Sequence, residues 1–294
     1  SPIMGLFGTI QQSAGALSTA QVGLQVVGNN LANANTEGYI RQKLEQVPAV
    51  AFRNGNLIQG HGVRALGVTQ VVDQALAERM FSAQSAASGS QLLSDAYNQL
   101  EEIASDLEGG GLNQQFSLFN NALHDLSTQP NDAAMREFVL IQGDSLANSL
   151  QQVRSRAEER KRAWNQDMTD MATQINRLSD RIAQLNVEIA TIEGGRSLKS
   201  DATGLRDQRY RDLEELASYI DINIQEQENG NVSVFVGGDY LINNRHSREV
   251  YAAFSEASDG MEVRFRETDA ALRAKGGKLG AAIEARGKVF GRFI

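Results

Sequence analysis

The chain has 294 residues, 41% of them apolar, with a net charge of −8 and no cysteine. A sizeable core is possible, but disulfides, thiolate zinc sites and thiol catalysis are excluded. The acidic balance argues against nucleic acid or an anionic membrane as the main partner, and 6% aromatics with three prolines favour long helices over a compact enzyme.

The first predicted element is a helix. Ile3, Ile10, Leu17, Leu24 and Leu31 recur every seventh residue, and Leu6, Ala20 and Val27 occupy the offset of three, with Ser13 as the weak member. This is a coiled-coil type of seam. Gly5, Gly8, Gly15, Gly23 and Gly28 each cost up to about 1 kcal/mol inside such a helix, so it gains most from packing against something. The helix is expected to stop in "NNLANANTEGYIRQ". Asn33 and Asn35 tolerate the left-handed conformation that ends helices, and Gly38 is free to turn the chain. From Tyr39 the chain should run extended. Local chemistry explains the Asn and Gly residues but not Tyr39, Arg41 and Gln42, whose side chains need a surface.

Residues 47–70 carry turn residues and the extended run "GVRALGVTQVV". The glycines there do not match a dinucleotide fingerprint. A helix follows from Asp73 to Asp106, with Leu76, Met80, Leu92, Leu93, Leu100, Ile103 and Leu107 on one side. "EGGGLN" breaks it. A second helix reaches Leu126, and "STQPND" is a loop ending in an N-cap before further helix. The strongest period comes next. Trp164, Met168, Met171, Ile175, Leu178, Ile182, Leu185, Ile189 and Ile192 alternate steps of four and three. A helix over 144–193 would be about 75 Å long and must lie against other helices. "RSRAEERKR" within it is basic but interleaved with Glu158 and Glu159, which reads as a solvated face. "GGR" ends the helix and "LRDQRYRDLEELASYI" forms a shorter one. The period then changes to alternation in "DINIQEQENGNVSVFVGGDYLI", where Asn229-Gly230 signals a hairpin. Further strands are expected at 241–243, 249–254 and 261–266. "GGKLGAAIEARGKVFGRFI" turns helical, and its uncapped apolar end at Phe290, Phe293 and Ile294 suggests a truncated chain.

The predicted fold is mainly α, an elongated helical bundle or coiled-coil rod with a small antiparallel β module. Four regions follow: an N-terminal assembly helix and elbow over 1–46, an elongated helical domain over 47–220, a β domain over 221–270, and the start of a returning C-terminal helix over 271–294. No chemistry stands out. His61, His124 and His246 share no ligand spacing, and Glu101-Glu102 and Glu214-Glu215 are adjacent pairs that point apart on a helix. There is no Gly-x-Ser-x-Gly or phosphate loop. No catalytic, cofactor-binding or metal-binding residues are assigned. No run of about 18 apolar residues could cross a bilayer, and the N-terminus has no basic region or cleavage site.

"NNLANANTEGY" resembles the signature of bacterial flagellar axial proteins. "YIRQ", "GHGVRALGV", "LHDLSTQPNDAAMREFVL", "IAQLNVEIA", "LRDQRYRDLEELA", "NGNVSVFVGGDYLI" and "GGKLGAAIEAR" resemble the hook-filament junction family, in that family's order and over nearly the whole chain. The family continues into C-terminal helices that pair with the N-terminal one, so here the seam lacks that partner. "KSDATG" also replaces an Asn-rich lead. The resemblance implies a structural subunit of the flagellum, exported through the type III apparatus without a cleaved signal and residing outside the cell. It implies a ring of self-associating subunits, contacts with the hook protein and a second junction protein, and an export chaperone at the missing C-terminal region. Ile3, Leu6, Ile10, Leu17, Leu24, Val27 and Leu31 would form the subunit interface. Asn30, Asn33, Asn35, Thr36, Gly38 and Tyr39 would set the bend, with Tyr39, Arg41 and Gln42 touching adjacent subunits. A rod or hook subunit is the alternative within the class, disfavoured by the long seam. An exported peptidoglycan-cleaving enzyme is the alternative outside it, and no candidate carboxylate supports it.

Overall fold

The computed structural model describes residues 2–36, 39–49, 52–54, 57–59, 62–71, 74–108, 111–194, 202–227, 229–256 and 260–290. Helix α1 (Pro2–Ala32) leads into a long antiparallel hairpin of β1 (Gln42–Pro48) and β4 (Val63–Gln70), with β2 (Phe52–Asn54) and β3 (Leu57–Gln59) paired between them. The register runs from Gln42 opposite Gln70 to Pro48 opposite Val63, with a bulge between Glu45 and Gln46.

Three helices build the rod: α2 (Gln74–Glu108), α3 (Leu112–Thr128) and α4 (Ala133–Gly194). The sequence places the start of the long helix near 144. It starts instead at Ala133 and runs 62 residues, about 93 Å at 1.5 Å per residue. Asp132 is the N-cap, its Oδ1 accepting from the Ala134 amide at 2.8 Å and from Met135 at 3.4 Å, and nothing after it breaks the helix. α3 folds back antiparallel along the first part of α4, with Phe119 seated over Gly143 and Ser145 Oγ donating to Gln115 Oε1 at 2.8 Å.

The stripe on α2 also differs from the expectation. Leu76 and Met80 are exposed, while Ala77, Phe81 and Ser85 are buried. This end of α2 lies close against α5 (Thr203–Tyr219) and α6 (Gly277–Glu284), where small residues allow the approach. Phe81 meets Tyr210 with ring centroids 5.2 Å apart. The predicted seam of α4 is buried from Trp164 to Ile189.

The β segment forms two pieces. One is a four-stranded antiparallel sheet of β5 (Asn223–Glu226), β6 (Val232–Val236), β7 (Asp239–Asn243) and β8 (His246–Ser247) in chain order. The other is a separate ribbon of β9 (Val250–Ser255) and β10 (Gly260–Phe265). Gly230 has φ +81 in the β5–β6 turn, the conformation its Asn-Gly position demands. One hydrophobic cluster joins these strands to the helices, from Ala77 and Phe81 through Ile175 and Leu216 to Val234, Phe265 and Leu279. A six-residue π-helical turn, Ala285–Phe290, follows α6.

Two asparagines on α4 fix the strands to the rod. Asn176 Nδ2 donates to the Val250 carbonyl at 2.7 Å, and its Oδ1 accepts from the Val250 amide at 2.8 Å. Asn186, fully buried, pairs with Val232 in the same way at 2.8 and 3.1 Å. It also donates to the Asn244 carbonyl at 2.6 Å and accepts from Arg209 Nη1 at 2.8 Å. A primary amide presents the same donor–acceptor pair as a strand backbone, so each asparagine acts as a neighbouring strand one residue long.

Candidate assembly surface

Helix α1 has two faces. Thr19 and Val26 are buried, and Gly23 allows Leu44 of β1 to approach to ordinary contact. These residues are spaced three, four and seven apart and dock the helix on the β1–β4 hairpin. The Thr19 hydroxyl lies 2.9 Å from the Gly15 carbonyl and 3.4 Å from the Val63 carbonyl. The heptad seam points the other way. Ile10 is 57% exposed, Leu17 72%, Leu24 73%, Val27 62% and Leu31 77%. At 100° per residue, Leu17 and Leu24 lie roughly 150° around the helix from Thr19, Gly23 and Val26. The side chains of Ile3 and Leu6 lie outside the described residues.

The elbow after α1 has a central residue, Asn30. Its Oδ1 accepts from the Gln42 amide at 2.8 Å and from the Tyr39 hydroxyl at 3.0 Å, while Nδ2 donates to the Gln42 carbonyl at 2.8 Å. This is the amide-to-strand pairing of Asn176 and Asn186 again, here joining the last turn of a helix to the first residue of a strand. Asn33 Nδ2 donates back to the Asn29 carbonyl at 3.0 Å, and Thr36 Oγ1 donates to Asn33 Oδ1 at 3.3 Å. Turns then tie the Thr36 amide to the Asn33 carbonyl and the Tyr39 amide to the Thr36 carbonyl. The expected left-handed asparagines are not found: neither Asn33 nor Asn35 has positive φ. The side-chain bonds of Asn33 terminate the helix without one. Gly38 lies outside the described residues.

Tyr39 is half-buried, and Arg41 is exposed with its carbonyl accepting from the Val71 amide at 2.9 Å. Burial, with the Asp207 carboxylate near, raises the Tyr39 pKa, so the hydroxyl keeps the proton it donates to Asn30. Asp207 itself sits on α5. Burial raises its pKa, while hydrogen bonds from the Ile40 amide and Gln70 and the charge of Arg211 oppose the shift. Gln70 Nε2 donates to Asp207 Oδ1 at 2.7 Å and to the Thr203 carbonyl at 3.2 Å.

The sequence singles out the heptad residues of α1 and the stretch over 30–42 but does not single out Asn176, Asn186, Gln70 or Asp207. A signal was present for the first two: asparagine is a poor interior helix residue, and both directly follow seam positions, Ile175 and Leu185. Nothing local marked Gln70 or Asp207, which are 137 residues apart. Among the described residues no group of three or more acidic or histidine side chains could hold a metal, and no helix is long and apolar enough to cross a membrane. His124 lies on α3, His246 Nε2 lies 3.3 Å from Glu267 Oε1, and His61 is outside the described residues.

Residues 97–293 match the family described as "Flagellar hook-associated protein FlgK helical domain", and residues 10–39 match "Flagella basal body rod protein". The second match contains the exposed seam from Ile10 and the elbow. Flagellar hook-associated protein 1 of Bacillus subtilis is 27% identical over 238 residues, 78% of this chain and 45% of that protein. The protein of that name from Salmonella typhimurium is 25% identical over 251 residues, 84% of this chain and 45% of that protein. The chain thus spans about half the length of these relatives. The solved flagellar hook junction protein FlgK of Burkholderia pseudomallei superposes with a TM-score of 0.61 at 22% identity, covering 71% of this chain and 39% of that one. That likeness shows the fold.

Proposed function

Because the chain belongs to the flagellar hook-associated FlgK family, we propose that it is a structural subunit of the bacterial flagellum, forming the junction between hook and filament by helix-mediated self-assembly. The observation that carries this reading is the orientation of α1. The helix docks on its own hairpin through Thr19, Gly23 and Val26 and leaves Ile10, Leu17, Leu24 and Leu31 to solvent. Large apolar side chains at heptad spacing have no use in solution. Buried against other helices, each contributes roughly 1.5–3 kcal/mol, so many copies together offset the glycine penalty.

In this reading Ile3, Leu6, Ile10, Leu17, Leu24, Val27 and Leu31 form the seam between subunits. Asn30, Asn33, Asn35, Thr36, Gly38 and Tyr39 set the angle at which it leaves the hairpin. Exposed Arg41, with Tyr39 and Gln42, meets the neighbouring subunit. Residues 1–46 act as the assembly segment, 47–220 and 221–270 as the body, and 271–294 as the start of a returning helix. The partners are further copies in a ring, the hook protein, a second junction protein and an export chaperone. The role is mechanical rather than enzymatic, and its place is the flagellum outside the cell, reached by the type III route.

The test is Leu17→Asp with Leu24→Asp, made in the gene of the flagellated cell. Both side chains are mostly exposed, so the purified chain should keep its unfolding midpoint, while the cells should carry hooks without filaments in electron micrographs. Normal filaments would refute the reading.

A further inference from the structure

The hydrophobic core begins at Ala77. Among the described residues no side chain before it joins the cluster that holds α2, α4, α5, α6 and the strands together. α1 packs on β1 and β4, and neither α1 nor these strands packs extensively on any element after Gln74. Among the described residues, side-chain hydrogen bonds from Gln70 link this N-terminal unit to the first turns of α5. Gln70 Nε2 reaches Asp207 Oδ1 at 2.7 Å and the Thr203 carbonyl at 3.2 Å.

The joint is also imperfectly filled. Gln70 Oε1 is buried without a hydrogen-bond partner. A cavity of about 20 Å³ lies beside it, lined by Ile40, Gln70, Gln74, Tyr210 and Leu213 among others. A void of this size either forfeits dispersion contacts or admits a single water, so it adds little to holding the joint closed. Protein interiors are packed more tightly than this. By contrast, α1 is held to its own hairpin by both the Asn30 clamp and the Thr19–Val26 face, so the unit moves as one piece.

We propose that α1 and the β1–β4 hairpin form a rigid lever, held at one angle to the helical body by a polar latch of Gln70 on Asp207 and the Thr203 carbonyl, and that opening the latch lets the lever swing without unfolding either part. The latch sets the angle at which the exposed seam is presented. This conclusion rests on the core boundary and the joint, and stands independently of the flagellar assignment.

The chain has no cysteine, so two can be introduced cleanly, at exposed Ser18 on α1 and exposed Gln184 on α4. Spin labels at Ser18→Cys and Gln184→Cys report the lever angle through double electron–electron resonance. The otherwise native chain should give one narrow distance distribution. Adding Gln70→Ala and Asp207→Ala should broaden and shift it, with helical circular dichroism and the unfolding midpoint at Trp164 unchanged. Asp207→Asn keeps an acceptor for the Gln70 amide and should preserve the narrow distribution. A distribution as narrow in the double-alanine variant as in the native chain would overturn the proposal. So would a broad distribution in the native chain, or a lowered unfolding midpoint in the double variant.

Discussion

Replacing Asn186 by alanine tests the idea that single asparagines hold the strands on the rod. The side chain is fully buried and makes four hydrogen bonds, two to Val232 and one each to Asn244 and Arg209. Alanine leaves the Val232 amide, two carbonyls and part of a buried guanidinium without that partner. Arg209 retains the Gly230 carbonyl at 2.7 Å and Glu226 at 3.6 Å, so its loss is partial. At about 1–3 kcal/mol for each buried group left unpaired, and with a water entering the vacated space to recover some of it, the net loss is about 3–5 kcal/mol. That is a large part of the roughly 5–15 kcal/mol expected for a whole domain. Urea unfolding followed at Trp164, the single tryptophan and 5% exposed, reads this directly. The midpoint should fall with an unchanged slope, and the Val232 amide should lose hydrogen-exchange protection before the α4 amides near Ile175. A loss below about 1 kcal/mol would refute the reasoning, because it would mean the strands are held by apolar packing alone.

Two further outcomes are expected. Gly277 has φ +68, and an added Cβ would lie 2.5 Å from the backbone of Tyr219 and Ile220. Backbone cannot step aside as a side-chain tip can, so Gly277→Ala should cost about 3 kcal/mol or more, measured by thermal unfolding, and a variant of native stability would show that α6 re-seats freely. Asp207 has a pKa raised above 3.8 by burial, so the folded state holds its proton to higher pH than the unfolded chain. Its contribution to stability is therefore greatest below 3.8 and declines as pH rises through the folded value. Subtracting the stability of Asp207→Asn from that of the native chain at each pH should give a difference that falls with rising pH across this interval, and a rising difference would contradict the assignment.

The sequence by itself determined that long helices form, the spacing of their apolar seams and the hairpin turn, though not where the longest helix starts. Heptad spacing in α1 and the four-three alternation after Trp164 are properties of single segments, and a helix long enough to carry them follows from the 3.6-residue repeat. Asn229-Gly230 dictates its own turn. Only the tertiary structure decided which apolar residues are used. Leu17 and Ile175 occupy equivalent positions in their periodic patterns, yet Leu17 is 72% exposed and Ile175 is fully buried. On α2 the contact with α5 and α6 buries the face of Ala77, Phe81 and Ser85 rather than that of Leu76 and Met80, because Phe81 finds Tyr210 there and Ala77 and Gly89 let the helices approach closely. The polar pins were beyond periodicity altogether. Asn30 lies 12 residues from Gln42, Asn176 lies 74 from Val250, and Gln70 lies 137 from Asp207. A hydrogen bond is decided by geometry within about 3 Å, and chain folding alone supplies that.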